Sequence, residues 1–162
     1  MTNSWLEPPS RPALETTLPS LLKQLKLPQF RSQWQAAEQQ ATAAGWSPAS
    51  YLYVLAEQEH QQRHQARQRR LLHEAQLPVP KTLADYDWNA IPDLERPQIE
   101  QLAQDTGWLD RAENLLLFGP SGVGKTHLAA GICRSLIALD RTARFFSATT
   151  LVQELQRAKA DY

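Results

Sequence analysis

The amino-acid sequence predicts an α/β fold in which a helical N-terminal region precedes an incomplete parallel sheet. Apolar side chains recur at helical spacing over residues 14–77, and proline and glycine interrupt this pattern. Residues 114–118 form a run of strand length whose last four positions are all apolar, which is typical of a strand buried in a parallel sheet. A glycine-rich stretch joins this run to a helical pattern over residues 125–140.

The N-terminal region divides into a lead-in and three helices. Residues 1–13 hold three prolines and few apolar side chains, so we expect a disordered lead-in. A helical domain is expected over residues 14–77, because Pro28 ends one helix and Gly45 ends another. The first helix is predicted to begin near Thr17, and the next two are predicted over residues 29–44 and 48–76.

A linker over residues 78–97 is expected to join the helical domain to a partial core over residues 98–162. The core is predicted to contain helices at 97–106, 125–140 and 149–160, and strands at 114–118 and 143–146. Two short strands do not make a stable parallel sheet by themselves. The chain is therefore expected to be the front part of a longer protein.

The glycine-rich stretch is a complete phosphate-binding motif. Its sequence is Gly-Pro-Ser-Gly-Val-Gly-Lys-Thr, which fits G-x-x-x-x-G-K-[ST]. Glycines let the backbone adopt positive φ and approach a ligand, so the amides of the loop can surround a phosphate. The alternative is a glycine-rich turn that binds nothing. The motif predicts a cofactor site at Gly119, Pro120, Ser121, Gly122, Val123, Gly124, Lys125 and Thr126.

Two side chains of this motif predict ATP and Mg²⁺ as cofactors. Lys125 is a cation that can reach the β- and γ-phosphates, and Thr126 offers a hydroxyl to Mg²⁺. Hydrolysis would also need an acid that orders Mg²⁺ and water, usually at the end of another apolar strand. No acid after residue 126 follows such a strand, so no catalytic residue is predicted and hydrolysis by this chain alone is not expected.

The net charge points to no class of partner, since 17 lysines and arginines balance 17 acids. No apolar stretch approaches the roughly 20 residues that span a bilayer. Residues 1–12 lack the apolar segment of a signal peptide. A cytoplasmic protein without a membrane partner is expected.

Cysteine and histidine chemistry has little support in the sequence. Cys133 is the single cysteine and has no activating cation beside it in sequence, so we interpret it as a buried apolar residue. His60 and His64 lie four residues apart, as helical zinc ligands often do. No third ligand is evident, so zinc binding is not predicted.

A basic segment over residues 60–73 contains four arginines, three histidines and no acid. Arg63, Arg67 and Arg70 lie at spacings that place them on one face of a helix. Such a face can bind DNA phosphates without recognising sequence. The alternative, a solvated polar face, is as compatible with the pattern.

Residues 118–129 resemble the IstB/DnaC group of AAA+ ATPases, which includes the helper ATPases of insertion-sequence transposition and the helicase loaders. Ser50-Tyr51-Leu52 and the segment Lys-Thr-Leu-Ala-Asp-Tyr-Asp-Trp at residues 81–88 are similar to the same group. Phe145-Phe146 is similar to its second strand. The similarity covers about residues 14–160.

The resemblance implies an AAA+ P-loop NTPase sheet, and it adds His127 to the cofactor-binding residues as part of the family signature. It also implies ATP with Mg²⁺, a transposase and DNA as partners, and a possible homo-oligomer. Tyr86 and Trp88 would lie near the nucleotide base, or serve in core packing or in anchoring the linker. Three alternatives stay open: a helicase loader, a DNA- or transposase-binding helical module with a vestigial loop, and an inactive remnant.

Overall fold

A computed structural model describes residue 7, residues 9–91 and residues 94–160. The chain divides into two compact units, which we call the first unit (Met1–Ala66) and the second unit (Arg67–Tyr162). Helices account for the regular structure of the described residues: α1 (Arg11–Gln24), α2 (Pro28–Ala44), α3 (Pro48–Ala75), a 3-10 turn (Trp88–Ala90), α4 (Arg96–Gln104), α5 (Gly107–Asp110), α6 (Lys125–Ala138) and α7 (Ala148–Ala160). None of these helices combines the length and the apolar character that crossing a bilayer would take.

The first unit is built from α1, α2 and the beginning of α3. Its core contains Leu22 from α1, Trp34 and Ala37 from α2, and Leu55 from α3. Gly45 ends α2 in the left-handed conformation at φ 65°, which a glycine adopts without a Cβ clash. The hydroxyl of Ser47 accepts a hydrogen bond from the amide of Ser50 at 3.1 Å and so caps the start of α3.

The core of the second unit lies between α4, α6 and the segment that precedes the 3-10 turn. Its buried residues are Tyr86, Ile99, Ala103, Leu128, Ile132 and Leu136. A smaller cluster joins the end of α3 to α6 through Leu71, Ala75 and Ile137. Helix α6, which begins immediately after the glycine-rich loop, is therefore fixed by apolar packing along its length.

The predicted parallel sheet is wrong, because the described residues contain no β-strand. Residues 113–120 lie in no helix or strand, with Leu116 71% exposed and Phe118 86% exposed. The alternating residues Leu115 and Leu117 pack against the core of the second unit. The apolar run thus covers a helical core with every second side chain instead of pairing with another strand.

The second predicted strand is wrong for a similar reason. The amide of Phe145 donates a hydrogen bond to the carbonyl of Ala75 at 2.8 Å, so residues 143–146 bind the end of a helix. A strand requires a neighbouring strand to accept and donate its backbone hydrogen bonds, and neither segment has one in the described part of the chain.

The predicted helices are confirmed, and their predicted ends agree within about two residues except at the start of α1. Helix α2 begins at Pro28 and α3 ends at Ala75, each within one residue of the prediction. Helix α1 begins at Arg11, earlier than the predicted start near Thr17, because Pro12 occupies a favourable first-turn position. Most of the predicted lead-in, residues 1–13, lies outside the described residues.

Candidate functional site

At three positions, the loop at residues 119–126 has a backbone conformation that only glycine adopts readily. The φ angles are 149° at Gly119, 87° at Gly122 and 85° at Gly124. Gly124 is also the N-cap of α6, and its carbonyl accepts the first helical hydrogen bond, from Leu128 at 2.9 Å. The left-handed conformation of Gly124 therefore sets the direction in which the first turn of α6 leaves the loop.

The amides of residues 121–127 have no acceptor among the described residues. Those of residues 125–127 belong to the first turn of α6, where the helix itself supplies no acceptor. Such a run of amides carries partial positive charge and binds anions, phosphate above all. The backbone of the loop is therefore suited to hold a phosphate group.

Lys125 is the first residue of α6, and its side chain turns back over the loop. Its ammonium donates hydrogen bonds to the carbonyls of Gly119 at 2.8 Å and Pro120 at 2.5 Å. The neighbouring Thr126 is exposed, and its hydroxyl has no partner among the described residues. The loop thus places a cation and a hard oxygen ligand beside unpaired amides, which are the groups that a phosphate with Mg²⁺ requires.

The ring of His127 is used within the protein. Its Nε2 lies 2.8 Å from the carbonyl oxygen of Thr82, and since a carbonyl only accepts, Nε2 must carry the proton. Thr82 in turn donates its amide and its hydroxyl to the carboxylate of Asp85, at 3.1 and 2.7 Å. These two hydrogen bonds, helped by the nearby His127, hold the pKa of Asp85 below its usual value.

Tyr86 and Trp88 lie in the core of the second unit. Tyr86 is 7% exposed, and its hydroxyl donates a hydrogen bond to the carbonyl of Val123 at 3.1 Å. The two rings meet edge to face with 4.9 Å between centroids, and the guanidinium of Arg96 lies 5.3 Å from the centroid of Trp88. The contact from Tyr86 to the loop spans 37 positions of the sequence, so the motif itself gave no signal for it.

The three arginines predicted to face DNA each have a partner within the protein. Arg63 donates to Glu59 at 2.8 Å and also to the carbonyl of Lys26. Arg67 pairs with Asp140 at 3.1 Å. Arg70 lies 3.6 Å from Glu74, and its side chain is 64% exposed. The structure uses Arg63 and Arg67 in tertiary contacts and leaves Arg70 the most accessible of the three.

Glu59 is the buried charged residue to which Arg63 is bound. It is 4% exposed, and both of its carboxylate oxygens accept hydrogen bonds, one from Arg63 and one from the amide of Gln29 at 2.8 Å. Because the amide of Gln29 belongs to the first turn of α2, the carboxylate also offsets the partial positive charge of that helix end. This arrangement explains Arg63 as a structural residue of the first unit.

Cys133 is half-buried on α6, and burial raises the pKa of its thiol. A raised pKa keeps the thiol protonated and poorly nucleophilic at neutral pH. This environment fits the interpretation of Cys133 as a packing residue.

A glycine-rich loop that opens a helix and ends in lysine and threonine defines the class of phosphate-loop nucleotide-binding proteins. The sequence profile of the family described as "IstB-like ATP binding protein" matches residues 20–162. The chain therefore belongs to this family, as the resemblance of residues 118–129 indicated.

Relatives from several bacteria agree with this assignment. A protein named as an insertion-sequence ATP-binding protein in Sinorhizobium fredii is 39% identical over 91% of this chain and 49% of its own length. The protein named for insertion sequence IS5376 in Geobacillus stearothermophilus is 34% identical over 83% of this chain and 53% of its own. The protein named for insertion sequence IS21 in Pseudomonas aeruginosa is 31% identical over 87% of this chain and 53% of its own length. The chain spans about half the length of the curated relatives that it matches.

Proposed function

We propose that this chain binds ATP together with Mg²⁺ through residues 119–126. The observation that carries the proposal is the run of amides over residues 121–127 without an internal acceptor, next to the ammonium of Lys125. The family description and the names of the relatives, which refer to ATP binding, support the choice of ATP over other phosphates.

Each part of the loop has a distinct role in this proposal. The amides and Lys125 neutralise the charge of the phosphates, with Lys125 exchanging its bonds to the carbonyls of Gly119 and Pro120 for bonds to phosphate oxygens. Thr126 supplies an oxygen to Mg²⁺, which offsets phosphate charge when it is bound. His127 holds the first turn of α6 through Thr82 and does not face the ligand as a base.

We further propose that the chain acts in the transposition of an insertion sequence, in the cytoplasm, with transposase and DNA as partners and within a homo-oligomer. The support is the naming of the relatives after insertion sequences. Residues 98–162 would bind the nucleotide, residues 14–77 would contact partners, and residues 78–97 would connect the two. The same sites would serve a helicase loader, which differs in its partner.

The ATP proposal is tested by calorimetry on the purified chain with MgATP. Lys125→Ala removes the ammonium from the loop, and we expect affinity to fall at least tenfold, since charged hydrogen bonds contribute about 1.5–3 kcal/mol. Lys159→Ala, which removes an exposed lysine near the end of α7, is the matched control and should leave affinity unchanged. Equal affinities of the native chain and Lys125→Ala would reject the proposal.

DNA binding by the basic segment has its own test. Arg70 is the residue to replace first, because Arg63→Ala and Arg67→Ala would also break the contacts to Glu59 and Asp140. Arg70→Ala should weaken binding to any duplex sequence and reduce the salt dependence of binding by about one unit of slope. Arg96→Ala, which replaces an exposed arginine paired with Glu100, is the control. An unchanged salt slope would exclude Arg70 from the DNA interface.

A further inference from the structure

The segment of residues 82–86 contacts the loop and the first turns of α6 at several points. Tyr86 donates its hydroxyl to the carbonyl of Val123 at 3.1 Å, and the carbonyl of Thr82 lies 2.8 Å from Nε2 of His127. Leu83 packs so closely that a Cβ on Gly131 would lie 2.7 Å from its Cδ2. The segment is therefore packed directly against the element that would hold the nucleotide.

The ring of Tyr86 fills the space beside Gly124. A Cβ added to Gly124 would lie 2.9 Å from Cε2 of Tyr86, a distance that real Cβ contacts do not show. Since Gly124 also has φ 85°, this position excludes a side chain both by conformation and by space. The loop at Gly124 is thus shaped by the ring as well as by the glycine.

The hydroxyl of Tyr86 fixes the orientation of one peptide group in the loop. The described residues contain no cis peptide bond, so the carbonyl of Val123 and the amide of Gly124 point in opposite directions. The carbonyl is turned toward the buried hydroxyl of Tyr86. The amide of Gly124 is therefore turned away from Tyr86, and it has no acceptor among the described residues.

We propose that Tyr86 is a positioning residue for nucleotide binding, which holds the peptide between Val123 and Gly124 so that the amide of Gly124 faces the phosphate. This inference rests on the proposed ATP binding by residues 119–126. Without the hydroxyl, the peptide gains the freedom to rotate, and ordering it again reduces affinity.

A role of Tyr86 as a platform for the nucleotide base is disfavoured by its surroundings. The ring is 7% exposed and makes edge contacts with Trp88 at 4.9 Å and with His127 at 5.1 Å between centroids. A base-stacking platform needs an accessible ring face. The two roles also predict different ligand dependence, because a base platform contributes nothing to the binding of a phosphate chain that lacks a base.

The test compares the native chain with Tyr86→Phe, which removes the hydroxyl and keeps the ring, using MgATP and inorganic tripolyphosphate as ligands. We expect Tyr86→Phe to lower the affinity for both ligands by the same factor. That factor should be about fivefold, the usual effect of one hydrogen bond. The amide resonance of Gly124 should shift. Tyr51→Phe is the matched control, since Tyr51 donates to the carbonyl of Trp34 at 3.2 Å within the first unit.

Tyr51→Phe should leave both affinities unchanged. Native affinity of Tyr86→Phe for both ligands would overturn the inference, and so would weakened ATP binding with unchanged tripolyphosphate binding, which would indicate a contact to the base. Failure of the ATP proposal is recognised separately, because the native chain and Lys125→Ala would then bind ATP equally. A Tyr86→Phe chain that matches the native one, while Lys125→Ala loses affinity, would reject the positioning role alone.

Discussion

In the first unit, the buried carboxylate of Glu59 has both oxygens bonded within the protein, to Arg63 and to the amide of Gln29. In the loop of the second unit, the amides of residues 121–127 have no acceptor among the described residues. A buried polar group that is fully bonded within the protein stabilises the fold, whereas an amide without an internal acceptor can donate to a ligand. The comparison separates residues that maintain the structure from residues that can bind, and it places Arg63 in the first class and the loop in the second.

The largest expected effect is on the apolar core of the first unit. Leu55 is 1% exposed, whereas Leu116, beside the loop, is 71% exposed. Leu55→Ala should lower the free energy of unfolding by about 3 kcal/mol, because the cavity adds to the lost burial. Leu116→Ala should change it by less than about 0.5 kcal/mol. Urea denaturation measures both, and similar losses in the two variants would contradict the assigned burial.

A smaller effect is expected when a Cβ is introduced beside the loop. Gly124→Ala should weaken MgATP binding about tenfold, since the methyl group would displace the ring of Tyr86 and shift the loop. Gly45 has a similar φ of 65° and nothing within 4 Å of an added Cβ, so Gly45→Ala is the matched control. Both variants should lose about 1 kcal/mol of stability from positive φ, but Gly45→Ala should bind MgATP as the native chain does. Equal MgATP affinity in the two variants would argue against close packing of the Tyr86 ring on Gly124.

The smallest effect concerns the carboxylate that holds Thr82. The pKa of Asp85 is lowered from its usual 3.8, chiefly by the hydrogen bonds from Thr82. Its contribution to stability is therefore complete above about pH 3.8 and is lost as the pH falls through the lower folded-state pKa. The melting temperature of the native chain should exceed that of Asp85→Asn near neutral pH, and the difference should shrink as the pH falls toward 2. A difference that is constant with pH would contradict this account.

The sequence predicted the helices well because their signals are local. Pro28 and Gly45 mark the two ends of α2, and the motif that ends at Thr126 marks the start of α6. The sheet was predicted wrongly because strand pairing is not local. The run at residues 114–118 has the composition of a buried strand, yet Leu115 and Leu117 bury themselves against helices without a partner strand.

The same distinction explains which parts of the candidate site were predicted. The motif identifies Lys125 and Thr126 because phosphate chemistry requires those residue types at that spacing. The bond between His127 and Thr82 spans 45 positions, and no spacing rule connects them. The sequence left the role of Tyr86 open between a place near the nucleotide base, core packing and linker anchoring, and its contact with Val123 is evident from the packing.

The central claim is that the unpaired amides of the loop bind the phosphates of ATP. Amide resonances of the isotopically labelled chain, followed during titration with MgATP, test this claim most directly. The account predicts that the amides of residues 121–127 shift most, that those of α1 and α2 stay unchanged, and that Lys125→Ala needs at least tenfold more MgATP to reach the same shifts. Unperturbed loop amides at saturating MgATP, or a Lys125→Ala titration midpoint equal to the native one, would contradict it.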